Sequence, residues 1–290
     1  ISLRRNVSDS SSSATVSPEF ARALGKRLDG MGLLMIDGPV SGGAAKAASG
    51  EMTMDYVSYC SYKFLWPVRS SWMPTTAKAS TVMTGGLNEF GQLGDGSTGD
   101  RDAFLPVSGL ENVVKVSAGL EHAVALKSDG SVWTWGRNNR GQLGNGTVED
   151  SRVPVAAKDL WRITDVAAGM FHTLALASDG TVWAWGRNSY GQLGNGSNED
   201  STTPVRVSGL SGVVKIAAGM YHSVAVRSDG SVHAWGRNVY GQLGDGSNRD
   251  RNSAVQVSGI SGAVNVAAGL HHTVVLKSDK TVWAWGCSRR

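Results

Sequence analysis

The chain of 290 residues has only two cysteines, Cys60 and Cys287, and seven prolines. Two thiols so far apart in sequence build neither a disulfide framework nor a zinc cluster, so both are expected to be free. No apolar run approaches the 18 or more residues of a membrane-spanning helix, and residues 1–30 lack the apolar stretch of a signal peptide. No membrane partner is expected. Charge is sparse at 18% of residues, and the net charge of +4 is not concentrated: residues 81–290 carry 19 basic and 18 acidic side chains. Nucleic-acid binding draws on clustered basic charge, and that balance argues against it. The chain starts with Ile1, so an upstream targeting segment stays open; localisation is unknown, with a soluble cytoplasmic protein as the default expectation.

Glycine is abundant, with 38 residues, and 41% of the chain is hydrophobic. Such a chain makes many turns and still buries a core. The glycines fall on a ruler. Gly-Gln-Leu-Gly occurs at Gly91, Gly141, Gly191 and Gly241, a spacing of 50 each time, and the same period relates His122, His172, His222 and His272, and Trp135, Trp185, Trp235 and Trp285. Within each copy a Trp-Gly-Arg-Asn segment leads through Gly-Gln-Leu-Gly, a polar loop, a Val-rich strand, a small-residue step such as Ala167-Ala168-Gly169, a His-led strand and a Ser-Asp-Gly hairpin. Every apolar run is short and bounded by turn residues, so Val113–Val116, His122–Leu126 and Val132–Trp135 read as strands. Repeated sheet units without helices predict an all-β chain of propeller blades. Small residues belong where the blades converge on the axis. Each repeated Trp anchors the core, a gross gain of about 4–6 kcal/mol on burial. In the last hairpin Lys280 stands where the other copies have Gly, which predicts a looser turn.

Trp185-Gly186-Arg187-Asn188, Gly191-Gln192-Leu193-Gly194-Asn195-Gly196, Ala167-Ala168-Gly169, His172 and Asp179-Gly180-Thr181-Val182, with their counterparts in the other copies, resemble the regulator of chromosome condensation repeat family over about residues 84–290. The resemblance implies a seven-bladed propeller that serves as a binding platform. Family roles include guanine nucleotide exchange on a small GTPase, chromatin attachment, light sensing and ubiquitin-ligase targeting. The family's exchange factor presents a protruding insertion, and these copies are spaced without one. Copies start near 85, 135, 185 and 235, and a fifth is cut short at 285. Four copies predict an incomplete ring, an open arc, ahead of an unusual four-bladed ring or a ring shared between chains. An arc exposes an apolar blade face at each end, which favours self-association.

The front of the chain fits no part of the ruler. Ser17 caps a helix expected over residues 18–28, followed by a short strand over 33–36. Thr15-Val16-Ser17-Pro18, Asp37-Gly38-Pro39-Val40-Ser41-Gly42-Gly43, Ala47, Gly50 and Met52-Thr53 resemble the 3-hydroxyisobutyrate (β-hydroxyacid) dehydrogenase family. The resemblance places a substrate carboxylate on the turn at Ser41, Gly42 and Gly43. No Gly-x-Gly-x-x-Gly dinucleotide fingerprint precedes this segment and Lys63 and Lys78 match no catalytic motif, so an inactive remnant is expected and no cofactor is assigned. The expected organisation is a small α/β fragment at 1–53, a junction at 54–83 and propeller repeats at 84–290.

The repeated histidines stand in different blades and cannot converge on one ion, so no metal is assigned. Asp95–Asp102 resembles a calcium loop but has Pro106 where the bidentate Glu belongs, and Gly38–Lys46 lacks the Gly-Lys-Ser/Thr of a P-loop. No nucleophile elbow marks an activated Ser, and no catalytic residue is assigned. The positions that vary inside the fixed register are better candidates, since the fold does not dictate them. One set precedes the repeated His: Glu121, Phe171, Tyr221 and His271. The other precedes Gly-Gln-Leu-Gly: Phe90, Arg140, Tyr190 and Tyr240. Aromatic and Arg side chains of this kind anchor protein interfaces. The expected function is therefore a non-enzymatic platform for protein partners, with GTPase regulation and residual dehydrogenase chemistry as alternatives.

Overall fold

The structure, a computed structural model, describes residues 82–287. The helix expected over 18–28, the strand over 33–36, the turn at Ser41, Gly42 and Gly43, and Cys60 lie outside those residues. Among the described residues there are strands and no helix. Strands β1 (Met83–Gly86) and β2 (Arg101–Pro106) pair with each other. Three four-stranded antiparallel sheets follow. The first comprises β3 (Val113–Ala118), β4 (His122–Lys127), β5 (Val132–Gly136) and β6 (Ser151–Ala156). The second comprises β7 (Ile163–Ala168), β8 (His172–Ala177), β9 (Val182–Gly186) and β10 (Ser201–Arg206). The third comprises β11 (Val213–Ala218), β12 (His222–Arg227), β13 (Val232–Gly236) and β14 (Arg251–Gln256). A three-stranded sheet of β15 (Ala263–Ala268), β16 (His272–Lys277) and β17 (Val282–Gly286) ends the series.

The innermost strands are built from small and β-branched residues because neighbouring sheets press on them. β3 and β4 pack on β7, β7 and β8 on β11, and β11 and β12 on β15. Near the axis Gly119, Gly169 and Gly219 line a crevice of about 10 Å³ with Leu120, Met170, Met220 and Leu270. That is room for about one water. A Cβ on Gly119 would meet the His122 imidazole and the Gly169 carbonyl, which explains the small residue at the step.

The stretch expected as a polar loop differs from expectation: it contains the outermost strand of each complete sheet. These strands are edges, mostly intermediate or exposed, so their residues need no apolar alternation, and Pro154 and the buried Pro204 are tolerated there because an edge strand need not donate outward. Pairing to the third strand shifts register between Thr134 and Gly136 and at the matching points of the next two sheets.

The final hairpin is also a correction. Lys280 adopts φ 68°, and its N–H bonds to the Lys277 carbonyl at 3.0 Å, as Gly130 bonds to Lys127. The turn is no looser than its counterparts. The Asp279 carboxylate accepts from both the amide and the hydroxyl of Thr281, as Asp129 and Asp229 do from Ser131 and Ser231, so the turn keeps the geometry of its Gly-containing counterparts with Lys at the left-handed position.

Each sheet is bolted to the next by one recurring set of side chains. Trp185 Nε1 donates to the Gln142 carbonyl at 2.8 Å, and Trp135, Trp235 and Trp285 donate to Gln92, Gln192 and Gln242 in the same way. The Thr173 hydroxyl donates to the same Gln142 carbonyl at 3.2 Å. Its oxygen lies 3.0 Å from His122 Nε2 in the preceding sheet. His172 meets Ser223, and His222 meets Thr273, in the same arrangement. All three histidines are fully buried, and desolvation pushes His122 down to about 4 and His172 and His222 down to about 3, so each is neutral.

The described sheets do not close into a ring. Val282 and Trp283 of the last sheet are 50% and 49% exposed, whereas Val232, the counterpart of Val282, is fully buried under the following sheet.

Candidate functional site

Local chemistry fixes where the variable positions stand. The Asn of Trp-Gly-Arg-Asn is buried. Asn188 Oδ1 accepts the Leu193 amide at 2.9 Å, and its Nδ2 donates to the Ser197 carbonyl at 3.0 Å, so Asn188 shapes the loop that carries Gly-Gln-Leu-Gly. The loop Gln then reaches back two residues. Gln192 Oε1 accepts the Tyr190 amide at 3.0 Å, and Gln92, Gln142 and Gln242 hold Phe90, Arg140 and Tyr240 alike. The second variable set is fixed by the residue after Trp-Gly: Arg187 N donates to the Phe171 carbonyl at 2.9 Å, and Arg137 and Arg237 pair with Glu121 and Tyr221. Gly186, at φ 99°, is required there, since a Cβ would run into the Phe171 carbonyl and His172 Cα.

The two sets therefore converge, and they converge on the repeated Arg. Phe171 stacks on Tyr221 with ring centres 6.2 Å apart, and Tyr221 meets Tyr190 at 5.1 Å. Tyr240 meets His271 at 4.9 Å. The Arg187 guanidinium lies 5.7, 5.9 and 5.2 Å from the ring centres of Phe171, Tyr190 and Tyr221. Arg237 lies 5.0, 5.8 and 5.9 Å from those of Tyr190, Tyr221 and Tyr240. The result is a half-buried band of rings interleaved with guanidinium groups, crossing from one sheet to the next.

At the earlier end the same positions give a different cluster. Arg137 sits 4.3 Å over the Phe90 ring and makes an ion pair with Glu121 at 2.6 Å. Arg140 stands apart, exposed and 3.4 Å from Asp200. Burial and the adjacent Arg237 lower the pKa of His271. The crevice residues Leu120, Met170, Met220 and Leu270 each immediately precede a member of the inner variable set. Sequence reasoning missed Arg137, Arg187 and Arg237 because a residue repeated in every copy reads as part of the fold. The signal was available: an Arg beside a buried Trp-Gly has no place in a core.

The described residues hold no group of three or more His, Cys, Asp or Glu able to share a metal ion. His122, His172 and His222 are spent on the sheet junctions, and Cys287 is a free thiol. Nothing in the band sets a nucleophile against a base.

The family model described as an RCC1-like domain matches residues 70–290. The chain belongs to the RCC1-like domain family. A second match, to the NAD-binding domain of 6-phosphogluconate dehydrogenase, covers residues 10–56. Among solved structures, the RCC1-like chain is similar to human WBSCR16, with 27% identity, a TM-score of 0.64, and coverage of 71% of this chain and 56% of that one. It is similar also to yeast RCC1 (Prp20), crystallised with Kap60, with 25% identity, a TM-score of 0.60, and coverage of 67% and 48%. This RCC1-like chain thus spans about half the length of these relatives. The front segment is 76% identical over 42 residues to the L-threonate dehydrogenase of Cupriavidus necator, which is 14% of either protein.

Proposed function

We propose that this RCC1-like chain is a non-enzymatic platform that holds a protein partner on the aromatic and guanidinium band, with Phe171, Arg187, Tyr190, Tyr221, Arg237 and Tyr240 as its centre. The observation that carries this reading is the convergence of two independently placed variable sets on one continuous surface. The fold constrains their backbones and leaves their side chains free to vary, and what stands there is the Tyr and Arg chemistry of interface anchors. Yeast RCC1 bound to Kap60 supports protein binding as a use of this fold.

The test is capture of interacting proteins by the full chain and by the triple variant Tyr190→Ala/Tyr221→Ala/Tyr240→Ala. Loss of captured partners with an unchanged melting temperature is the expected result. Unchanged binding of every captured partner sinks the platform reading, as does turnover of 3-hydroxy acids with a nicotinamide cofactor.

A further inference from the structure

The guanidinium groups of the band differ in their electrostatic state. Arg137 is neutralised by Glu121, and Arg140 by Asp200. Arg187 and Arg237 have no carboxylate partner among the described residues. Arg187 donates one hydrogen bond, from Nε to the Ser189 hydroxyl at 3.2 Å, and Arg237 makes ring contacts alone. None of their nitrogens is both buried and unpartnered, so their free N–H edges meet solvent. The nearby acids are engaged elsewhere: Asp200 and Asp250 each accept a backbone amide, from Asn188 and Asn238. A guanidinium lying over rings keeps its planar fork free, and that fork matches a carboxylate in bidentate fashion.

Both guanidinium carbons lie within 6 Å of the Tyr190 and Tyr221 ring centres, so they are no more than about 12 Å apart. In an extended peptide, residues two or three positions apart are separated by about 7–10 Å. The residues just before Phe171, Tyr221 and His271 in the chain are the apolar, part-exposed Met170, Met220 and Leu270. Taking the platform reading as given, we propose that the band recognises an extended acidic peptide segment of its partner, with carboxylates two residues apart, on one face of the peptide, seated on Arg187 and Arg237, and with the alternate apolar side chains turned towards Met170, Met220 and Leu270.

The probe is a fluorescein-labelled decapeptide alternating Glu and Leu, titrated with the full chain and followed by anisotropy, beside a peptide with Gln in place of Glu. The Glu peptide is expected to bind at least about tenfold more tightly than the Gln peptide. Arg187→Gln/Arg237→Gln removes that preference. Arg187→Lys/Arg237→Lys restores it only in part, since an ammonium keeps the charge and loses the fork. Arg249→Gln, an exposed site outside the band, leaves it unchanged. Equal binding of the two peptides, absence of binding, or an Arg187→Gln/Arg237→Gln variant that behaves like Arg249→Gln overturns the inference. Protein capture separates this from the broader reading. If partners are lost in the Tyr triple variant and kept in the double Arg→Gln variant, the platform stands and the acidic ligand falls; if both variants keep them, the platform falls too.

Discussion

His122 in one sheet and Thr173 in the next meet at 3.0 Å between Nε2 and Oγ1. The Thr173 hydroxyl spends its proton on the Gln142 carbonyl, so its oxygen accepts and the imidazole is the Nε2–H tautomer. Nδ1 is then a bare lone pair, and it has no partner in any of the three junction histidines. A neutral, single-tautomer His thus joins each four-stranded sheet to its successor.

Removing the acceptor strands a buried donor. Ser223→Ala deprives His172 Nε2–H of its only partner and is expected to cost about 1–3 kcal/mol, read as a lower urea midpoint. Imidazole nitrogen shifts that fail to show Nε2–H in the parent protein, or an unchanged midpoint in the variant, contradict this assignment.

The same burial makes stability depend on pH. His122, His172 and His222 titrate near 6.5 when unfolded and at about 3–4 when folded, so below pH 6.5 the unfolded chain binds more protons. Their contribution is complete above pH 6.5 and is lost as pH falls towards 3–4. At pH 5 the loss is about 2 kcal/mol for each His. Denaturation midpoints measured from pH 7.5 to pH 5 should fall steadily, and a flat profile refutes the prediction.

Four non-glycine residues among those described occupy left-handed backbone where other copies use Gly: Asn112, Asp159, Arg162 and Lys280, at φ 58°, 54°, 52° and 68°. Arg162→Gly and Lys280→Gly are each expected to stabilise by about 0.5–1 kcal/mol, the relief of strain less the entropy that Gly adds to the unfolded chain. Asp159→Gly should gain less, because Asp tolerates this region better. Thermal unfolding of the three variants tests the order.

Trp235 is fully buried, whereas its copy Trp285 is half-buried, and both donate to a Gln carbonyl. Trp235→Phe is expected to cost about 2–3 kcal/mol through lost volume and a lost hydrogen bond, and Trp285→Phe less than half of that. Equal losses would mean that the final sheet is covered as the others are.

Much of this fold is legible in the sequence because the chain states it four times. Trp135, Trp185 and Trp235 stand buried where the ruler puts core, and the small-residue steps lie at the sheet junctions. The outer strands escaped notice because an edge strand such as Ser151–Ala156 needs no apolar alternation. The Lys280 turn misled because propensity assigns a penalty to one residue without counting the Asp279 and Thr281 contacts that keep the turn's geometry. At the candidate site, sequence variation pointed to Tyr190, Tyr221 and their relatives but hid Arg187 and Arg237. Periodicity reveals what recurs and is silent on which recurring side chains face outward.

The sequence copy and the sheet are out of phase: the segment opening at Trp135-Gly136 finishes one sheet with β6 and begins the next with β7. Any fifty-residue stretch excised from the array would rejoin equivalent ends and leave the hydrogen-bonded ladders intact. Growth and shrinkage by whole periods is therefore mechanically neutral at the seam, and the number of turns around the axis can change in evolution while the contacts of each turn do not.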